Sequence, residues 1–265
     1  MPSPPAPARP LRRFGQTFLA DRVLAARLVE LFDPRPGETV VEIGPGTGAL
    51  TRLLAPRCGR FVAVELDERL VPGIAALLAD HPAAEVRRAD ALAVDWDALA
   101  GELGAGRLRV IGNLPYNVAT PIVRRLLASD RVSDLQVVLQ REVADRFLAG
   151  PGTKDYGPVS IVAALRAEGR RLIGLAPGAF RPRPKVTSTA VALVRRDDPP
   201  LPAGEIPTLE RCLFRGFSHR RKQLGNNFGA EGERVRAFLA AHGLSRDARA
   251  EAVPAVVWLA LSRHL

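Results

Sequence analysis

From residue 39 onward, short apolar runs alternate with stretches in which apolar side chains recur every three or four positions. Unbroken β-branched runs are typical of strands covered on both faces. Their alternation with helical stretches predicts a mostly parallel α/β sheet. Strands are predicted over 39–43 (TVVEI), 60–65 (RFVAVE), 85–88, 108–111 and 134–140 (DLQVVLQ). Helices are predicted over 47–55, 68–78, 121–127, 141–148 and 159–167. Two more strands, 171–175 and 189–195, are joined by a Pro-rich loop too short for a crossover, so the last strand is expected to be antiparallel.

The composition breaks at D-D-P-P-L-P-A-G-E-I-P (197–207), which reads as a linker. Beyond it only helical periodicity remains, over 208–217, 220–228, 233–242 and 248–261. The expected organisation is a flexible Pro-rich tail over 1–13, an α/β domain over 14–197 and a small helical domain over 198–265.

Bulk properties narrow the function. No apolar run approaches the ~20 residues of a membrane span. The N-terminal M-P-S-P-P-A-P-A-R-P-L-R-R has basic residues but no apolar stretch behind them, unlike a secretory signal. A cytoplasmic protein without membrane attachment is therefore expected. Cys58 and Cys212 have no metal-ligand spacing and no His/Cys/Asp cluster occurs, so reduced structural thiols and no metal are expected. The formal net charge of +10 favours a polyanionic partner, nucleic acid first.

The first strand runs into V-E-I-G-P-G-T-G-A-L (41–50). Gly44, Gly46 and Gly48 allow a sharp turn and close approach of a ligand to the backbone. Glu65 ends the second strand, where a carboxylate can accept hydrogen bonds from both ribose hydroxyls of an adenosine. To this point NAD and S-adenosylmethionine are both open. Glu42 before the first glycine, Asp90 after the third strand and Asn113 after the fourth follow the order seen in class I methyltransferases. That order favours S-adenosylmethionine, with Asp90 placed to bind the adenine amino group.

Asn113-Leu114-Pro115-Tyr116 suits a specific chemical difficulty. The lone pair of an exocyclic adenine amine is delocalised into the ring, so the nitrogen is a poor nucleophile. Accepting hydrogen bonds from its hydrogens draws it toward tetrahedral geometry. The Asn113 side-chain carbonyl can take one hydrogen and the Leu114 backbone carbonyl the other. Pro115 fixes the local backbone, and Tyr116 offers a face for the base. Such catalysis rests on positioning and polarisation, with no strong general base.

These residues, with R-R-F-G-Q-T-F-L (12–19), N-L-P-Y-N-V-A-T-P-I (113–122), Q-R-E-V-A-D-R (140–146), Y-G-P-V-S-I (156–161), F-R-P-R-P-K-V-T-S (180–188) and F-S-H-R-R-K-Q-L-G-N-N-F (217–228), span nearly the whole chain. It resembles the ribosomal RNA adenine N6-dimethyltransferases, specifically their bacterial small-subunit type. The resemblance implies a Rossmann-like class I methyltransferase sheet and S-adenosylmethionine as cofactor. It further implies that Thr17 and Leu19 border the cofactor, with Gly44, Glu65, Asp90 and Asn113 as main contacts. Thr17 stands where the family usually has Asn. Phe180 is implied as the aromatic sandwiching a flipped adenine from the side opposite Tyr116, base extrusion being needed to expose N6.

Arg181, Arg183 and Lys185 are placed to meet phosphates, and Ser218-His219-Arg220-Arg221-Lys222 forms the densest basic cluster, expected at the start of a helix. Arg12 and Arg13 could form another rim. The implied partner is small-subunit ribosomal RNA in an assembling 30S particle, met by a monomer, with two adjacent adenines of a 3′-terminal hairpin each receiving two methyls. Three competing readings are a large-subunit dimethyltransferase of the antibiotic-resistance type, an RNA-binding assembly factor with an idle donor site, and a nicotinamide dehydrogenase. The last has no use for N-L-P-Y or the basic C-terminus.

Overall fold

The computed structural model describes residues 16–265. The expected tail over 1–13, and Arg12 and Arg13 with it, lie outside the described residues. In chain order the first elements are β1 (Phe18–Leu19), α1 (Arg22–Phe32), β2 (Thr39–Ile43), α2 (Thr51–Leu54), β3 (Arg60–Glu65), α3 (Val71–Leu78) and β4 (Ala84–Arg88). Next come α4 (Trp96–Glu102), β5 (Leu108–Asn113), α5 (Ala119–Ala128), β6 (Val132–Gln140), α6 (Arg141–Leu148) and α7 (Pro158–Arg166). The chain continues with β7 (Ala167–Leu175), β8 (Phe180–Arg181), β9 (Ser188–Arg195), α8 (Ile206–Gly216), α9 (Gly232–Ala241) and α10 (Ala255–His264).

Seven strands form one sheet in the order β4-β3-β2-β5-β6-β9-β7. Strands β2 to β6 pair in parallel, and the last strand, β9, runs antiparallel to β6. Val40, Val41, Phe61, Val62, Val110 and Val137 are almost fully buried, which is why these runs carry no polar alternation. From β2 the chain steps through β3 to β4 on one side, whereas β5 and β6 lie on the other. That reversal opens a crevice at the carboxyl ends of β2, β3 and β5, the place where open α/β sheets bind ligands.

Two elements fix the entry to that crevice. In α1, Ala25, Leu28, Val29 and Phe32 are buried at helical spacing, and the Asp21 side chain caps the helix by accepting from the Leu24 N–H. Ahead of it, β1 pairs antiparallel with β8, Phe18 opposite Arg181 and Leu19 opposite Phe180. The Ala179 carbonyl then accepts from the Ala20 and Asp21 N–H groups.

The chain divides into two compact units. One holds the described residues up to Ala144 together with Arg170–Val194; the helical one holds Asp145–Gly169 and Arg195–Leu265. In the helical unit the expected helix over 220–228 does not form. Residues 218–221 are turns, and only a 3-10 turn, Leu224–Asn227, follows. The cause is a close backbone crossing, because a Cβ on Gly225 would stand 2.9 Å from the Gly232 carbonyl. Two asparagines after that glycine add poor helix propensity. The helix expected over 248–261 is likewise displaced: Pro254 is the N-cap of α10, and a 3-10 turn, Ala250–Ala252, precedes it.

Arg109 braces the amino-terminal end of β5. Its Nε donates to Asp134 Oδ1 at 3.0 Å and its Nη1 donates to Glu38 Oε2 and to the Asp33 carbonyl at 2.9 Å. Its Nη2 bonds the Phe32 carbonyl, and the guanidinium lies 4.2 Å from the Phe32 ring centroid. Thus the C-terminus of α1 is tied to two adjacent strands. Replacing Arg109 with Met should cost about 2–4 kcal/mol in urea unfolding, because two half-buried carboxylates lose their cation. A loss under about 0.5 kcal/mol would mean that the network behaves as a surface ion pair.

Candidate active site

Beyond Ile43 the chain turns through Gly44-Pro45-Gly46-Thr47-Gly48, with φ of +66°, +59° and +81° at the three glycines. An L side chain is strained in that region. At Gly46 space is limiting too, since a Cβ would stand 2.8 Å from the Phe18 ring. The turn delays α2 until Thr51, four residues later than its expected start. It forms one wall of a cavity whose other walls are residues 16–19, Glu42, residues 65–67, Asn113, Pro115 and Asn117.

Three carboxylates face this cavity. Glu65 Oε2 accepts from the Gly46 N–H at 3.2 Å and Oε1 from the Asp67 N–H at 2.8 Å. Burial pushes the Glu65 carboxyl up, and the two N–H groups pull it partly back. Glu42, only 2% exposed, accepts from Thr51 Oγ1 at 2.6 Å. Burial pushes its carboxyl up to about 8, against the Thr51 hydrogen bond. Asp67 behaves oppositely: hydrogen bonds from Arg69 hold it down to about 2, helped by Gln16 Nε2 at 2.9 Å. Buried carboxyls with raised pKa favour a ligand that brings positive charge.

Asn113 is the last residue of β5. Its Nδ2 donates to the Thr17 backbone carbonyl at 2.7 Å, while its Oδ1 is buried with no hydrogen-bond partner. Native proteins rarely leave a buried acceptor unsatisfied, so an unpaired one in a cavity wall marks a place for an incoming donor. The contact uses the backbone at position 17, so the exchange of Asn for Thr there leaves it untouched. Beyond Asn113, Leu114 is fully buried and the Pro115 carbonyl accepts from the Val118 N–H at 3.1 Å. The Tyr116 hydroxyl stands 2.6 Å from Ser188 Oγ.

The structure thus brings Thr17, Leu19, Gly44, Gly46, Glu65, Asn113 and Pro115 around one cavity. Asp90, Leu114, Tyr116 and Phe180 are not among its lining residues. Asp90 is exposed beyond β4, and its Oδ1 accepts from the Leu92 N–H at 2.9 Å. Phe180 is 0% exposed and belongs to the core cluster with Leu19 and Ala179. Its ring therefore offers no exposed face for the base that the motif assigned to it. Arg181 is exposed and bonds the carbonyls of Gly178 and Phe180; Arg183 and Lys185 are exposed on the same loop.

In the helical unit Arg220 donates to the Thr153 carbonyl at 3.1 Å and lies 3.9 Å from Glu251, while Arg221 and Lys222 are exposed. Gln16 and Asp67 were not singled out from the sequence. The local signals were Gln16 standing beside Thr17 in R-R-F-G-Q-T-F-L and Asp67 two residues beyond Glu65 in E-L-D. Among the described residues no group of three or more His, Cys, Asp or Glu is placed to hold a metal, and no helix is long and apolar enough to cross a membrane.

A family model described as ribosomal RNA adenine dimethylase matches residues 9–265. Ribosomal RNA small subunit methyltransferase A of Geobacter metallireducens is 40% identical over 263 residues, covering 97% of this chain and 96% of that protein. The protein of the same name from Leptothrix cholodnii is 43% identical, covering 96% and 91%. Among solved structures, the 23S rRNA methyltransferase ErmE matches with a TM-score of 0.71 and 28% identity, over 94% of this chain and 99% of its own. A dimethyladenosine transferase from Plasmodium falciparum reaches 0.76 at 19% identity over 92% and 95%, a likeness of fold.

Glu42 gives the site a pH signature. In the unfolded chain its carboxyl titrates near 4.5, and in the fold near 8, so the fold holds the extra proton between those values. Its contribution to stability is fully present below the unfolded value and is lost as pH rises through the folded one. Glu42→Gln keeps a partner for Thr51 and removes the titration. Thermal unfolding from about pH 5 to about pH 9 should show the variant gaining on the parent as pH rises. A difference that is constant across that range would contradict the assignment.

Proposed function

The chain belongs to the ribosomal RNA adenine dimethylase family, and from that premise we propose that it methylates adenine N6 in small-subunit ribosomal RNA. Its targets are two adjacent adenines of a 3′-terminal hairpin, each receiving two methyls. It acts as a monomer in the cytoplasm, on an assembling 30S particle. The observation that carries this reading is Asn113 Oδ1, a buried acceptor left unpaired in the wall of an acidic cavity.

The residues present fit S-adenosylmethionine. The glycine turn leaves room for close approach, Glu65 faces the cavity, and Glu42 is a buried carboxyl answered only by a neutral hydroxyl. When bound, this cofactor supplies an electrophilic methyl group. Glu65 keeps lone pairs free for the ribose hydroxyls, and Asp90 has a second oxygen for the adenine amino group. Gly44, Gly46, Thr17 and Leu19 would border the cofactor, and Glu42 would ionise more readily beside its positive charge.

On the acceptor side, Asn113 Oδ1 accepts a hydrogen bond from one N6–H and the Leu114 carbonyl from the other, which localises the lone pair on nitrogen. Pro115 holds that carbonyl's backbone, and Tyr116, tethered at its hydroxyl to Ser188, supports the extruded base. The gain comes from acceptors fixed in advance of the reaction. Arg181, Arg183 and Lys185, and in the helical unit Arg220, Arg221 and Lys222, supply phosphate contacts. The net charge of +10 favours such an encounter.

The deciding experiment is methyl transfer from labelled S-adenosylmethionine to undermethylated small ribosomal particles, with large particles and naked RNA as controls. Mass spectrometry should find dimethyladenosine confined to small-subunit RNA. Label in large-subunit RNA would overturn the substrate assignment, and tight particle binding without transfer would indicate an assembly factor. In the same assay Asn113→Ala should lower transfer by at least about 100-fold with RNA affinity retained; equal loss of both contradicts its role. Changing Arg221 and Lys222 to Ala should weaken particle binding and flatten the slope of log K against log salt by up to about 1.5. An unchanged slope would mark these cations as a solvated face.

A further inference from the structure

Asn113 can serve as an acceptor only while its amide keeps one of two orientations, and nothing in its own side chain fixes the choice. The orientation is held by its Nδ2 donating to the Thr17 carbonyl at 2.7 Å. A rotation by 180° about the terminal torsion would exchange oxygen and nitrogen, two atoms of similar size and opposite hydrogen-bonding sense. An amine would then meet a donor in place of an acceptor.

The Thr17 carbonyl is itself bracketed by two anchors. On its C-terminal side, Phe18 and Leu19 are locked into the ribbon with Phe180 and Arg181. On its N-terminal side, the adjacent residue Gln16 donates through Nε2 to Asp67 Oδ2 at 2.9 Å. Asp67 is 3% exposed and held in turn by Arg69, whose Nε donates to Oδ1 at 2.8 Å. Its own N–H donates to Glu65 Oε1 at 2.8 Å. Asp67 therefore ties the ribose-facing glutamate to the strand segment that aims the acceptor amide.

We propose that Gln16 is a positioning residue for methyl transfer: clamped by Asp67, it holds the Thr17 carbonyl where that carbonyl keeps Asn113 Oδ1 facing the amine. The proposal rests on the reading of Asn113 given above. Gln16 touches neither reacting atom; it acts through one backbone carbonyl and one amide. Losing the clamp frees the chain before Thr17, so the Thr17–Phe18 peptide that carries the carbonyl is held from the Phe18 side alone and its orientation loosens. The amide then samples both orientations, while the cofactor carboxylates and the RNA-facing cations stay in place.

The test compares Gln16→Ala, Gln16→Glu and the double variant Gln16→Glu with Asp67→Asn. Gln16→Glu alone sets a second carboxylate against Asp67, with Glu65 also near and Arg69 as the offsetting cation. In the double variant the hydrogen bond is restored with its direction reversed: the amide introduced at position 67 donates to the carboxylate introduced at position 16, Arg69 Nε keeps the remaining oxygen at 67, and Arg69 Nη2, which shared the Asp67 oxygen with Gln16, turns to the new carboxylate. Single-turnover transfer should fall about 10- to 100-fold in each single variant. Affinity for RNA should stay within about threefold, any loss of S-adenosylhomocysteine affinity from these cavity-wall positions should be well below the loss of rate, and the double variant should recover most of the rate.

A parent-like rate in Gln16→Ala overturns the proposal, as does a double variant no faster than Gln16→Glu alone. So does a loss of cofactor affinity equal to the loss of rate, which would make the clamp part of the cofactor pocket only. Should Gln16→Ala fold poorly, the comparison of Gln16→Glu with the double variant still decides. An inactive parent would instead sink the functional reading itself, so the two failures are separable.

Discussion

A carboxamide has a donor end and an acceptor end, and the hydrogen bond from Asn113 to the Thr17 carbonyl decides which end faces the cavity. Much of the surrounding fold is arranged around that choice. Strand β5 delivers Asn113 to the crevice, the β1–β8 ribbon holds the chain on one side of Thr17, and α1 closes behind it through the Ala179 carbonyl. The acceptor that results is buried and unpaired, so a donor reaching it would bond where water competes little.

The two ends of β5 show what separates a structural polar group from a functional one. At the amino end, Arg109 is half-buried with its nitrogens answered by two carboxylates and two carbonyls. Such a group contributes by being complete. At the carboxyl end, Asn113 is incomplete by one partner, and Glu42 and Glu65 in the same cavity wall are carboxyls whose pKa burial pushes up. Each such group costs stability that a donor or a positive charge placed beside it would return. The sheet order concentrates these costs at the one place where the chain's direction of travel across the sheet reverses.

The strands were legible in the sequence because burial on both faces removes polar alternation, and TVVEI and RFVAVE match β2 and β3 residue for residue. Ribbon β1–β8 was not legible: two residues per strand carry no period, and its partners lie far apart along the chain. The helix read over 220–228 failed on a backbone contact between Gly225 and Gly232, seven residues apart, which hydrophobic periodicity does not encode. In the site, Gly44, Gly46, Glu65 and Asn113 were readable because backbone geometry ties them to strand ends. Gln16 and Asp67 were not, since a bond spanning 51 residues exists only once the sheet has formed. Phe180 read as a base-facing aromatic from its motif, and its burial among Leu19 and Ala179 follows from ribbon pairing alone.

The helical unit is assembled from two stretches of chain, and this governs how the protein can be cut or recombined. A graft from a relative must exchange both stretches together, with junctions after Ala144, Gly169 and Val194. Cleavage in the Pro-rich segment after Val194 would strand the first stretch. The Tyr156 hydroxyl would lose the Val253 carbonyl, the Gly152 N–H would lose that of Glu251, and the buried Arg166 guanidinium would lose that of Leu201. A shortened chain ending there carries an incomplete half-unit, so the natural modular boundary of this protein is topological and cannot be reached with a single cut.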